Sequence, residues 1–413
     1  MSTAAAHDEA GSPPPPIDRI PAATGIPVYR IDLAAPPEQR YLRLAKDFAP
    51  RIRRVSPLFD EVVEMLFTKR LAGLIKLTSR FTLRRVFDEE QTKEIKSIAQ
   101  EAKVDVHCAI ALNLFLDLML GCTSGAALVR TPSGGGRGGK AEDHLMHFRT
   151  LEWGMDVLKE LLVVLEFVNT GRENPEEVIA RSVTYAGFVG TLTGVRRILL
   201  KEDDSNKPST SSDDEPLIGE QVHQEQLSIT ARALKLASMP ASPCYLTLCD
   251  GAVVAIVQKD LYHGHVKTSK EFMVQTNHDP DHKTCCGHST NKNATDTAQA
   301  TIMGEEIWLD ESEERQQALL DRWIRHVRAS TKSAAARLRA RQNGVCVQSS
   351  LSPQPQHAAK LRGIREEKLQ EWVASYPTTN ESTHFSCIMD PVTGEIRWIE
   401  RGPESTEDSG SEG

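Results

Sequence analysis

Apolar positions in this chain follow two different periodicities. Phe59, Val62, Val63, Leu66, Phe67, Leu71, Leu74 and Ile75 recur at i, i+3, i+4 and i+7. That spacing predicts a helix over residues 58–77, with Asp60, Glu61, Glu64, Lys69 and Arg70 on its polar face. A second helix holds Ile95, Ile98 and Ala99, and a third, more apolar one runs from about Val106 to Leu120 and stops at Gly121. Ahead of them, residues 26–33 alternate like a short strand. From Cys122 the pattern changes to short Val- and Thr-rich runs, predicting strands over 122–129, 161–168, 183–192, 244–249, 253–258 and 272–276. Asp250-Gly251 between two of them signals a two-residue hairpin. Helical spacing returns over 312–341 and 366–376, and a last hairpin pairs 385–389 with 395–399. A helical block, then a strand-rich region with late helices, predicts an α+β fold.

Composition narrows the classes. Of 413 residues, 39% are hydrophobic and 26% charged, as in ordinary globular chains. No apolar run is long enough for a membrane-spanning helix, and the Pro-rich opening lacks the apolar core of a signal peptide, so the expected location is inside the cell. The formal charge of −8 resides in two places: residues 201–216 and the tail 402–413 each sum to −4. The rest is balanced, which gives no electrostatic case for a nucleic-acid partner. Residues 1–25 read as a disordered leader, 201–216 as a polar loop and 402–413 as a disordered acidic tail. The Gly-rich stretch 134–139 reads as a hairpin tip, because no helix start follows it as a phosphate loop requires. Eight cysteines, none in the first hundred residues, do not make a disulfide scaffold.

Cys122 stands where an apolar helix stops and a strand starts. In isolation it reads as a buried core cysteine, since a nucleophile needs a base and an electrophilic clamp and spacing names neither. Its neighbours supply more. Gly121-Cys122-Thr123-Ser124, then His147-Phe148-Arg149-Thr150-Leu151-Glu152-Trp153-Gly154, then residues 185–194 (YAGFVGTLTG), then Val274-Gln275-Thr276-Asn277-His278-Asp279 occur in that order. Together they resemble the acid ceramidase and N-acylethanolamine acid amidase family of N-terminal-nucleophile hydrolases. Residues 26–40 resemble the opening of the family's N-terminal subunit, and 376–385 resemble the C-terminal segment of its fungal members.

The resemblance implies an αββα sandwich over 122–401, preceded by a helical segment, 26–121, that self-cleavage at Gly121–Cys122 would leave as a separate partner piece. It implies hydrolysis of the fatty-acyl amide of an N-acylated lipid, a ceramide or an N-acylethanolamine, without a cofactor. Cys122 maps to the nucleophile, Arg149 to the cation beside it and Asn277 to the oxyanion donor. Glu152, the fourth residue that the resemblance places in the catalytic site, stands where the family usually has Asp. After Arg196 the family continues into a strand that helps wall the site, whereas this chain enters the polar stretch 201–216. That departure carries the alternative of a catalytically impaired paralogue or truncated splice form that binds lipid. By resemblance the compartment is lysosomal or vacuolar. Helix 58–77 either packs on the sheet domain or touches a membrane surface. His278, His282, Cys285, Cys286 and His288 suit zinc by type but lack a second Cys pair, and read as a polar loop with no metal.

Overall fold

A computed structural model of the chain describes residues 25–58, 88–118, 121–131, 142–197, 228–279, 305–343 and 362–403, with short pieces between 63 and 86. The leader, the Gly-rich tip, 201–216, 280–288 and nearly all of the tail lie outside these residues.

Among the described residues, four helices of defined extent precede the cysteine. Helix α1 (Pro37–Arg40) is one turn. Helix α2 (Leu42–Val55) buries Leu44, Phe48, Ile52 and Val55, and holds Pro50 in its interior. Helix α3 (Glu89–Ala102) starts where Asp88 accepts from the N–H of Gln91, and ends at Lys103 in the left-handed region. Helix α4 (Val106–Leu118) follows and leads into strand β2.

The smaller sheet runs β1 (Val28–Asp32), β4 (Leu162–Val168), β5 (Ala180–Tyr185), β6 (Thr193–Val195), with β1 parallel to β4. The larger runs β10 (Phe272–Gln275), β2 (Gly121–Thr131), β3 (Glu142–Glu152), β12 (Thr383–Asp390), β13 (Glu395–Arg401), and the short β11 (Ile364–Arg365) also pairs with β2. A third sheet, β7 (Cys244–Cys249), β8 (Val254–Lys259), β9 (Gly264–Ser269), carries helix α5 (Ile229–Ser238). Helices α6 (Glu305–Asn343) and α7 (Glu366–Ala374) complete the described elements.

Alternation along β12 reveals the layers. Phe385, Cys387 and Met389 enter the core shared with Val164, Val183, Tyr185 and helices α2 and α3. Ile388 instead packs with Leu319 and Trp323 of α6 and Leu369 and Trp372 of α7. Successive side chains face opposite ways, so the large sheet lies between the small sheet and α6–α7. Strand β4 is buried on both faces, as an inner-layer strand must be. The order is helices, sheet, sheet, helices, in an α+β chain as the periodicity predicts.

The structure corrects two local readings. The run 183–192 is not one strand: β5 ends at Tyr185 and the chain turns at Gly187, whose φ of +102° suits glycine. Asn113 fixes that turn, donating from Nδ2 to the Gly187 carbonyl (3.0 Å) and accepting from Val189 N–H (2.7 Å). The Asp250-Gly251 hairpin has a longer loop, because Cys249 pairs with Val254 and leaves four residues between them. Asp250 Oδ1 accepts from the N–H groups of Ala252 and Val253 there. Within 58–77, Val63 is buried but Leu71 is 44% exposed, so the two do not share a buried face.

Candidate active site

Strand β2 begins at Gly121, opposite Glu152 of β3. A Cβ on Gly121 would lie 2.9 Å from the Glu152 carbonyl oxygen, so the residue before Cys122 has no room for a side chain. Ser124 pairs with Arg149, and residues directly opposite share a face, which puts Arg149 on the same face as Cys122 two positions away. Arg149 Nη2 donates to Cys122 Sγ at 2.9 Å. Burial pushes the Cys122 thiol up, and the Arg149 cation pulls against it.

The third expected residue reaches the same point from another strand. Asn277 follows β10, and its Oδ1 accepts the backbone N–H of Cys122 at 2.7 Å. Helix α6 pins this turn: Ser312 Oγ accepts from Asn277 N–H (2.8 Å) and contacts His278 Nδ1 (2.8 Å). Gln275 Nε2 donates to the His278 carbonyl at 2.7 Å. Cys122, Arg149 and Asn277 thus converge on the Gly121–Cys122 peptide. His278 is buried in this hydrogen-bonded turn.

Glu152 takes a different place from Arg149. The pleat sets it with Thr123 and Thr150 on the face toward α6, where Arg315 Nε lies 3.9 Å from its carboxylate and 3.2 Å from Thr123 Oγ1. The carboxylate is 3% exposed, and burial holds its pKa above the usual range despite Arg315. Sequence reading missed Arg315: it lies in a helix full of charges, with nothing local to single it out.

A second missed feature joins the two sheets. Residue 384 interrupts the β12–β3 register between Thr383 and Phe385, a bulge that re-aims its side chain. His384 Nδ1 lies 2.6 Å from Tyr185 Oη, and Nε2 lies 2.9 Å from the Trp153 carbonyl. Burial lowers the imidazole to about 4, so it is neutral: Nε2–H donates to the carbonyl and Nδ1 accepts from the tyrosine. Both side chains are almost wholly enclosed.

Among the described residues, Asp105, His107 and Cys108 form the group of three metal-capable side chains with ligand atoms within 4.8 Å of one another, at the start of α4. They are far along the chain from His278, and the rest of the 278–288 cluster lies outside the described residues.

A family model for the beta subunit of N-acylethanolamine-hydrolyzing acid amidase matches residues 24–87. Acid ceramidase of Rattus norvegicus is 24% identical over 327 residues, covering 65% of this chain and 77% of that one. The chain is thus similar in sequence to acid ceramidases and N-acylethanolamine acid amidases. Acid ceramidase of Heterocephalus glaber is 24% identical over 185 residues, 41% of this chain and 43% of that protein, so the match spans less than half of that relative. N-acylethanolamine-hydrolyzing acid amidase of Mus musculus is 24% identical over 171 residues, 41% of each chain. A solved Caenorhabditis elegans N-acylethanolamine-hydrolyzing acid amidase (NAAA) ortholog aligns with a TM-score of 0.36 and 17% identity, over 68% of this chain and all of that chain.

Proposed function

We propose that this protein is an amidohydrolase that cleaves the fatty-acyl amide of N-acylated lipids, ceramides or N-acylethanolamines, with Cys122 as an N-terminal nucleophile. The observation that carries this reading is the convergence of Arg149 Nη2 on Cys122 Sγ at 2.9 Å and of Asn277 Oδ1 on Cys122 N at 2.7 Å. A guanidinium against the sulfur favours the thiolate, and an amide side chain against the nitrogen orients the group that becomes the α-amine.

Activation comes first. Cys122 Sγ adds to the Gly121 carbonyl, the Cys122 nitrogen leaves as an amine after taking a proton, and water opens the resulting thioester. This yields a Gly121 carboxylate and a Cys122 with free thiol and free amine. A free α-amine titrates near 7.7–8.0 and a thiol near 8.5, so the one residue supplies both base and nucleophile. In turnover the amine takes the thiol proton, the sulfur attacks the lipid amide, and Asn277 Nδ2 donates to the developing oxyanion. The ammonium protonates the departing amine, and water releases the fatty acid from the acyl-thioester. The acidic compartment implied by the family resemblance suits a buried carboxylate such as Glu152, which burial holds toward its protonated form.

The test is one denaturing gel with an activity assay. Wild-type protein held at mildly acidic pH splits into residues 1–121 and 122–413, the larger piece beginning Cys-Thr-Ser. Cys122→Ala stays whole and inactive. Cys108→Ser, on α4 and outside the site, still cleaves. An uncut wild-type chain that nevertheless hydrolyses N-acyl lipids sinks the mechanism.

A further inference from the structure

The corner between α3 and α4 carries side chains that the amidase site does not use. The two helices pack on each other and are joined by only Lys103, Val104 and Asp105. Lys103 turns the chain in the left-handed region, and Val104 N–H donates back to the Ala99 carbonyl at 3.0 Å. Arg53 of α2 donates to the Ala102 carbonyl at 2.8 Å. Cys108 and Ala109 N–H then both donate to the Asp105 carbonyl, at 3.0 and 3.1 Å, and start α4. The backbone of the corner is thus held in one conformation.

On this fixed turn stand Asp105, His107 and Cys108. Asp105 and Cys108, three positions apart, share a face of the first turn, and His107 reaches across so that its Nε2 lies 3.4 Å from Cys108 Sγ. Helix capping accounts for a carboxylate at this position, but not for an imidazole nitrogen turned onto the neighbouring sulfur. That separation has a meaning for a metal. Sulfur at about 2.3 Å and nitrogen at about 2.0 Å from one ion, held at the tetrahedral angle, stand about 3.5 Å apart. The three ligand atoms lie within 4.8 Å of one another, and Asp105 is exposed, so its carboxylate has room to close on the same point.

A hollow of about 400 Å³, lined by Leu83, Arg84, Lys96, Val106 and His107, opens beside the group and gives an ion a way in. Hard cations are poorly matched, because magnesium and calcium take oxygen ligands and only one side chain here offers them. Thiolate, imidazole and carboxylate together suit zinc, whose formal charge one thiolate and one carboxylate cancel. The filled site is then neutral, and Arg84 and Lys96 do not oppose it. We propose that Asp105, His107 and Cys108 bind one zinc-class divalent ion, with solvent in the fourth position. The ion ties the α3–α4 corner to the first turn of the helix that runs into Gly121–Cys122. It takes no part in hydrolysis, and the inference does not rest on the amidase reading.

The experiment is a cobalt(II) titration, cobalt being a coloured stand-in for zinc, of the full chain carrying Cys122→Ala to remove the competing thiol, in a phosphine reductant. Cobalt saturates at one ion per chain and gives the near-ultraviolet charge-transfer band of a thiolate ligand; zinc displaces it and magnesium does not. Adding Cys108→Ser abolishes the band, and adding His107→Ala or Asp105→Asn weakens cobalt binding at least tenfold. Zinc raises the Tm of the Cys122→Ala chain but not that of the chain that also carries Cys108→Ser. Asp105 is exposed, so Asp105→Asn decides the matter if Cys108→Ser does not fold. Cys285→Ser with Cys286→Ser leaves the band in place. A band that survives Cys108→Ser, or that vanishes with Cys285 and Cys286, puts the ion elsewhere and overturns the proposal. So does a chain that takes up no cobalt, one that takes it up without a thiolate band, or an Asp105→Asn variant that binds it as tightly as before.

Discussion

Arg315 and Asn277 meet at a single oxygen: Arg315 Nη2 lies 3.4 Å from the Oδ1 that also accepts the Cys122 backbone N–H. The guanidinium thereby favours one orientation of the amide, with its oxygen toward Cys122; in the proposed mechanism its nitrogen is then the group that donates to the oxyanion. Arg315 acts through Asn277. Arg315→Lys keeps a charge near Glu152 but loses the planar fork. It should lower kcat by about tenfold or more with KM nearly unchanged, because misplacing a preorganised donor costs the transition state. Equal kcat in steady-state assays would show that Asn277 holds its orientation alone.

Replacing the donor itself has a larger effect. Asn277→Ala should lower kcat by roughly 10²–10³ while the thermal transition is retained. An unchanged rate on a short N-acyl substrate would remove the side chain from oxyanion stabilisation.

Glu152 sets a pH dependence of known sign. Burial raises its folded pKa above the unfolded value, so between those two values the folded chain binds more protons. This group's contribution to stability therefore improves as pH falls through the raised pKa and worsens as pH rises. Measured on the uncleavable Cys122→Ala background, Glu152→Gln should flatten the rise in Tm on going from neutral to mildly acidic buffer. Identical slopes with and without Glu152 would mean that other groups set the trend.

Tyr185→Phe deletes the donor to His384 Nδ1 and leaves that buried nitrogen without its hydrogen bond. The cost should be about 1–3 kcal/mol, read from denaturant midpoints. Tyr185→Phe with His384→Phe should recover part of it, since removing both partners spares the orphaned group. A single variant as stable as wild type would show that the pair contributes nothing to joining the sheets.

Much of this was legible in the chain. The order of Cys122, Arg149 and Asn277 within their motifs points to one site, and the structure gathers all three on one peptide. Strand β3 was hidden from periodicity because polar and charged residues fall on both of its faces near the site. Helix α2 was obscured by Pro50 and its three closely spaced arginines, although its buried face is regular. Arg315 and His384 are tertiary findings. One reaches Asn277 from 38 residues away and the other reaches Tyr185 from 199, separations at which no local pattern carries information. The turn at Gly187 was misread as strand because Asn113, 74 residues earlier, supplies the bonds that bend it.

Strand β1 and strand β4 lie on opposite sides of the Gly121–Cys122 bond in sequence but side by side in space, in register from Val28 with Val164 to Asp32 with Val168. While the chain is whole, the tether holds the two strands at a high effective concentration, and the sheet can reform without meeting another molecule. Once the bond is cut, the pairing stays but the tether is gone. Renaturation then turns from first order to second order: uncut protein regains its sheet at a rate independent of dilution, while cut protein regains it more slowly the more it is diluted. Cleavage at Cys122 would make the folded state a product of its own history, easily reached once and hard to reach again.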